Sequence, residues 1–239
     1  QWVVTLGLPF YALSMAAANA DVLSGRRARP AFGVYLLYVL YFPKFLSGPI
    51  ERPSFLDTLD TFQFTFDRDR LDRAGRWIVL GIFYKFVVGR YLARFYFPEV
   101  SDDILTLIVG IIAFELRVYF DLCGYSLLAY GTSLALGIEL TLNFNHPFFA
   151  GNVRDFWRRW HISLGRWFHE YVYDPYRAPG GTPIRLASAP ILVFLLSAAW
   201  HGITWNFFFW GLFHAGAFVL YTRVFRHHDW PRAVGVVAF

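Results

Sequence analysis

Six stretches of this chain are apolar over close to the length of a bilayer crossing: residues 2–20, 77–97, 104–120, 122–142, 187–200 and 204–221. A spanning helix needs about 20 such residues, so the pattern points to a polytopic, all-α transmembrane protein. A seventh stretch, 31–46, is shorter and contains Pro43 and Lys44. Charge supports this reading. Only 16% of residues are Asp, Glu, Lys or Arg, against about 25% in soluble chains.

The basic residues are almost all arginine, with Lys44 and Lys85 the exceptions among 22. They cluster at Arg26, Arg27 and Arg29, at 68–76, at 154–166, and at Arg223 and Arg226. Arginines beside apolar spans match lipid phosphate, and there is no basic tail or nucleic-acid motif, so membrane lipid is the expected partner and nucleic acid is not. Cys123 is the only cysteine, which excludes an intrachain disulfide. The chain starts at Gln1, not Met, with an apolar segment at once, and is therefore expected to be part of a longer protein.

Between the spans, Pro43, Pro49 and Pro53 each remove a backbone donor, so a helix running toward Phe42 should end in a shaped loop. The stretch DRDRLDRAGR reads as a solvated or interfacial helix. Glu115, Arg117 and Asp121 interrupt an apolar tract, and the i, i+4 spacing of Arg117 and Asp121 allows them to pair on one face. The following CGYS and YGTS supply small residues for close helix approach, and Gly137 should loosen the end of that segment.

The segment RDFWRRWHISLGRWFHEYVYDPYR differs from the spans. Trp157, Trp160, His161, Leu164, Trp167, Phe168 and Tyr171 recur at spacings of three and four, as on an amphipathic helix lying at a membrane interface. Asp155 and Arg159 can pair at i, i+4. His161 lies on the aromatic face, not the charged one.

Further on, FLLSAAWHGITWNFFFWGLFH places His201 deep in an apolar run. An ionisable side chain there is costly and is by default a functional-site hypothesis. Imidazole can take a proton from a hydroxyl, so a buried, oriented His201 suits a general base, with Gly202 leaving room for a substrate. A histidine capped by a nearby carbonyl and serving helix packing is the alternative, and position alone leaves both open.

Four stretches, GLPFYALSMAAANADVLSG, FPKFLSGPIERPSFL, the long tract from VYFDLCGYS through RDFWRRWHISLGRWFHEYVYDPY, and WHGITWNFFFWGLFH, together resemble the membrane-bound O-acyltransferases. The similarity is to the bacterial branch that contains alginate O-acetyltransferase and the teichoic acid D-alanyl transferase. Cys123 stands where that family often has serine. The resemblance implies a many-helix fold with a central tunnel, in which His201 is catalytic and His161 lines the same passage. Trp160, Trp200, Arg158 and Arg159, which stand near these histidines in the motifs, and Asn145 of the NFNHPFF stretch are the implied substrate-binding residues. The expected organisation is one membrane-embedded acyltransferase domain over 1–239, lacking flanking helices at both ends, in the bacterial inner membrane.

The implied reaction moves an acyl group, most simply acetyl, from a thioester donor such as acetyl-coenzyme A or an acyl-carrier protein. The implied acceptor is a hydroxyl of a cell-surface polysaccharide, reached directly or through an extracytoplasmic partner acyltransferase. Direct transfer is expected, since no nucleophile–base–acid set accompanies Cys123. No bound cofactor is expected, and no histidine spacing such as HExxH suggests a metal. Two other classes remain: a transporter using the histidines as a proton relay, and a non-catalytic membrane scaffold of a polysaccharide-modifying complex. Transport predicts symmetry between the halves of the chain, but the histidine motifs lie only in the second.

Overall fold

A computed structural model describes residues 7–95, 103–177 and 182–225. All regular elements among them are helical, in two compact units, residues 1–142 and 143–239. The start of the 2–20 span, the end of the 77–97 span and Arg226 lie outside the described residues.

In the first unit, α1 (Leu8–Leu23) is followed by α2 (Phe32–Leu40), which gives way to a single 3-10 turn at Phe42–Lys44. Nine residues are too few to cross a bilayer, and the prolines stop the helix where their sequence positions suggest. The loop beyond is anchored from inside. Tyr38 donates through its hydroxyl to the Glu51 carbonyl at 2.7 Å, and the Glu51 carboxylate accepts from the Thr141 N–H at 2.5 Å. Lys44 is buried over the Tyr38 ring, 4.1 Å from its centre.

The polar stretch forms α4 (Arg68–Ile82), after the short α3 (Phe55–Asp60), with Asp67 capping the Arg70 N–H. It runs on through a π-helical turn at Phe83–Val88 into α5 (Gly89–Leu92). Against this run lies α6 (Ile104–Leu136), one helix of 33 residues, roughly 50 Å long. The sequence divided this region into two spans, but no break occurs there. Asp121 finds its ion-pair partner not in Arg117 but in Lys85 of the neighbouring run, at 2.5 Å, so the charge is met without ending the helix.

The small residues act as expected. A Cβ at Gly124 would stand 2.7 Å from the Lys85 backbone nitrogen, and one at Gly131 2.9 Å from the Ala74 carbonyl. Gly137 closes α6 in the left-handed region, φ 97°, a conformation glycine adopts without a Cβ penalty.

The second unit contains α7 (Val153–Arg159), α8 (Ile162–Phe168), a π-helical turn at His169–Tyr173 and α9 (Asp174–Arg177). The hairpin of α10 (Pro183–His201) and α11 (Trp205–Leu220) completes it. Among the described residues, two helices are long and apolar enough to cross a membrane, Pro183–His201 and Trp205–Phe225. They pack closely where Gly211 meets the Phe194 carbonyl and Ala198, and a Cβ at Gly211 would stand 2.7 Å from that of Ala198. Phe209, Phe213 and Leu212 are exposed on the hairpin's outer side, as suits contact with lipid chains.

Candidate active site

The single amphipathic helix expected from Arg154 to Arg177 is broken at Trp160–His161. His161 takes a left-handed conformation, φ 43° and ψ 55°, unusual for a residue with a Cβ. Asn143 holds the break open. Its carbonyl accepts from the Ile162 N–H at 2.8 Å and its side-chain Oδ1 from the Ser163 N–H at 3.2 Å, while the Asn145 N–H donates to the Arg159 carbonyl at 3.0 Å. Asn143, His161 and Ser163 are all buried. A strained backbone fixed by buried hydrogen bonds is what sites use to aim a side chain. Nothing in the helical period announces it, because the restraint comes from a segment outside the helix.

The turn sends the His161 ring inward, toward aromatic neighbours. It lies 6.1 Å from Phe144 and 6.5 Å from Trp200, and Trp200 lies 4.8 Å from His201. Burial, first, and the nearby imidazole of His201, second, pull the pKa of His161 down to about 4, against a hydrogen bond to backbone that raises it. His161 is therefore neutral at physiological pH, able to accept or to donate one hydrogen bond.

His201 ends α10 and is exposed in this structure, not buried as its apolar surroundings in sequence suggest. The chain turns at Gly202, so the last residue of the helix sits at the tip of the hairpin and not within its packed length. The room beside Gly202 is taken by protein: a Cβ there would lie 3.0 Å from the Phe207 ring, which stacks on His201 at 5.6 Å with the planes 20° apart. Trp210 meets the same imidazole edge to face at 5.6 Å. Phe207, Trp210 and Trp200 thus fix the ring's plane from three directions.

Of the remaining expected site residues, Trp160 is half-buried and stacks on Phe156 at 5.6 Å. Asn145 is exposed, with Oδ1 3.3 Å from His146 Nδ1. Arg158 is exposed, and Arg159 pairs with Asp155 at 2.9 Å, the i, i+4 pair that the spacing suggested. Two residues that sequence reasoning gave no role, Asn143 and His214, belong to the same unit. His214 was within reach of such reasoning, since it follows Trp210 by four and so shares its helix face. Asn143 carries no such signal.

A cavity of about 360 Å³ between α10 and α11, lined by Ile191, Leu212, Val219 and Arg223 among others, contains none of these histidines. Its wall is apolar. No group of three or more metal-ligating side chains occurs among the described residues.

Comparison with known proteins follows the same residues. The family model described as MBOAT, membrane-bound O-acyltransferase family, matches residues 4–233. The chain is 29% identical over 97% of its length to the probable alginate O-acetylase AlgI of Azotobacter vinelandii, covering 47% of that protein. It is 34% identical over 81% of its length to the peptidoglycan O-acetyltransferase of Helicobacter pylori, covering 38% of it. To the teichoic acid D-alanyltransferase of Bacillus subtilis it is 33% identical over 75% of its length, covering 49%. The chain spans about half the length, or less, of these relatives.

Proposed function

Because the chain belongs to the membrane-bound O-acyltransferase family, we propose that it moves an acyl group, acetyl in the simplest case, from a thioester to a hydroxyl of a cell-surface polysaccharide or related acceptor. In this reading His201 is the general base. It takes the proton of the acceptor hydroxyl, the oxygen attacks the thioester carbonyl, the new C–O bond replaces the C–S bond, and the thiolate leaves with a proton returned from His201. His161 donates a hydrogen bond to the carbonyl oxygen as negative charge gathers there, and so stabilises and orients it. No acyl-enzyme is formed, and no bound cofactor takes part.

The observation that carries this reading is the kink at His161: a left-handed residue, locked by Asn143, whose ring and that of His201 both meet Trp200. Asn145, Trp160 and Trp200 line the acceptor's path in a central tunnel, and Arg158 and Arg159 lie toward donor phosphates. The two units work as one membrane-embedded domain of a multi-pass inner-membrane protein, with an extracytoplasmic acyltransferase or acyl-carrier protein as partner. The relatives' names support acyl transfer onto cell-envelope polymers.

The test is transfer of label. Membranes holding the full-length protein should move a labelled acetyl group from acetyl-coenzyme A, or from an acyl-carrier protein, onto a polysaccharide hydroxyl. Replacing His201 with Ala or Gln should lower that rate at least 100-fold at matched protein amounts. Undiminished transfer in the variant would remove His201 from the mechanism.

A further inference from the structure

Past His201, along the α10–α11 hairpin, stands a second polar group. His214 follows Trp210 by one turn of α11, and the two rings are 4.8 Å apart, while Trp210 also meets His201 at 5.6 Å. The His214 ring lies parallel to Phe194 at 6.2 Å, and meets Trp157 of α7 edge to face at 5.0 Å. Phe213 adds a further aromatic neighbour at 5.2 Å. In this apolar surround, His214 Nδ1 and Trp157 Nε1 are both buried, and neither has a hydrogen-bond partner among the described residues.

Two unpaired buried nitrogens on touching rings call for a ligand, because a polar atom removed from water is costly until it is paired. Their chemistry says which kind. The indole N–H can only donate, and a neutral imidazole nitrogen on the ring packed against it can accept. A hydroxyl carries both functions on one oxygen, able to accept from Trp157 and to donate to His214. A carboxylate lacks the proton, an ammonium lacks the lone pair, and either would carry charge into an aromatic enclosure.

We propose that Trp157 and His214 form a hydroxyl-binding subsite that holds a second hydroxyl of a polyhydroxylated acceptor while its neighbour is presented to His201. The proposal rests on the acyl-transfer reading above for the identity of the acceptor, but the subsite itself is a binding property. Trp210 forms the common wall, so an acceptor reaching both histidines passes along its face. An acceptor with one hydroxyl would occupy only one end.

The experiment uses the full-length protein in lipid nanodiscs, labelled with 5-fluorotryptophan, and reads the fluorine resonance of Trp157, assigned by its loss in Trp157→Phe. Glycerol and propan-1-ol are the probes, a polyol and its single-hydroxyl counterpart. Glycerol should shift the Trp157 resonance saturably, with a dissociation constant at least tenfold below that of propan-1-ol. His214→Phe should abolish the difference, and His214→Gln, which keeps a donor and an acceptor, should retain most of it. Resonances of the other tryptophans report whether each variant stays folded.

Equal response to the two probes, or a glycerol preference that survives His214→Phe, overturns the subsite, as does a site filled by water that glycerol does not displace. Since the titration needs no acyl donor, it stands apart from the test of transfer. Absence of labelled ester in the wild type would refute acyl transfer and leave the binding result to be judged by itself. Where transfer occurs, His214→Phe should raise the KM for glycerol about tenfold, leaving kcat and the KM for propan-1-ol in place.

Discussion

Replacing Asn143 by alanine tests whether the α7–α8 break is what arms His161. The left-handed backbone at His161 costs on the order of 1–2 kcal/mol for a residue with a Cβ. Asn143→Ala removes the Oδ1 that accepts from the Ser163 N–H at 3.2 Å, and leaves that buried donor unpaired, a loss of about 1–3 kcal/mol. The backbone bond from Ile162 to the Asn143 carbonyl survives the substitution, so the kink loses one of its two restraints from this residue. What is lost is comparable to the strain being held, so the turn should relax and the imidazole drift from its place beside Trp200.

Displacement of an orienting group by about 1 Å is enough to cost roughly 100-fold in rate. The expected result is therefore a stability loss of about 1–3 kcal/mol, read as a lower Tm in detergent, together with a 10- to 100-fold fall in labelled acyl transfer per folded protein. Asn145→Ala is the control. Its exposed side chain can go without disturbing the N–H bond to Arg159, so its stability should change by no more than about 0.5 kcal/mol, with any effect confined to KM. An Asn143→Ala protein with reduced Tm but full activity per folded molecule would refute the positioning argument, and one unchanged in both would refute the restraint itself.

Three further outcomes follow from the same geometry. His161→Ala should reduce transfer less than His201→Ala, and the double variant should be little worse than His201→Ala alone, since groups acting on one step are not additive; additive losses would assign the two histidines to separate steps. Replacing Arg154 and Arg158 with Gln, while leaving Arg159 in its pair with Asp155, should raise the KM for acetyl-coenzyme A and flatten its salt dependence; weaker membrane retention with unaltered KM would assign these arginines to lipid. The pKa of His161, held at about 4 in the fold against 6.5 unfolded, means that the unfolded chain binds the extra proton between those values. Stability should thus be level above pH 6.5 and fall as pH drops toward 4, by at most about 3 kcal/mol from this group. His161→Asn should flatten the dependence of Tm on pH over that interval, and an unchanged slope would refute the burial argument.

The parts of the fold legible in the sequence are those set by local chemistry. Prolines ended α2 at Leu40, Gly137 capped α6, and the small residues of α6 marked its close contact with α4, because each acts through its own backbone or its lack of a side chain. The division of α6 was misread for a related reason. A charged residue in an apolar run resembles a segment boundary, and only the neighbouring helix shows that Lys85 satisfies Asp121 where it stands.

The candidate site follows the same division. Periodicity put His161, Leu164 and Phe168 on one aromatic face, and all three are buried, yet it placed them on one straight helix, because the pattern of side chains cannot report a backbone turn imposed by Asn143 from outside it. His201 illustrates the reverse error: apolar neighbours in sequence suggested burial, while the chain reversal at Gly202 leaves the ring at the end of a hairpin, planed by Phe207, Trp210 and Trp200. An exposed imidazole held at a fixed angle can meet a hydroxyl arriving from outside its own helix pair, which a histidine sealed between α10 and α11 could not do. His201 therefore sits at the open end of the hairpin, whereas the neutral His161 is buried beside Trp200, so the two histidines differ in access before they differ in chemistry.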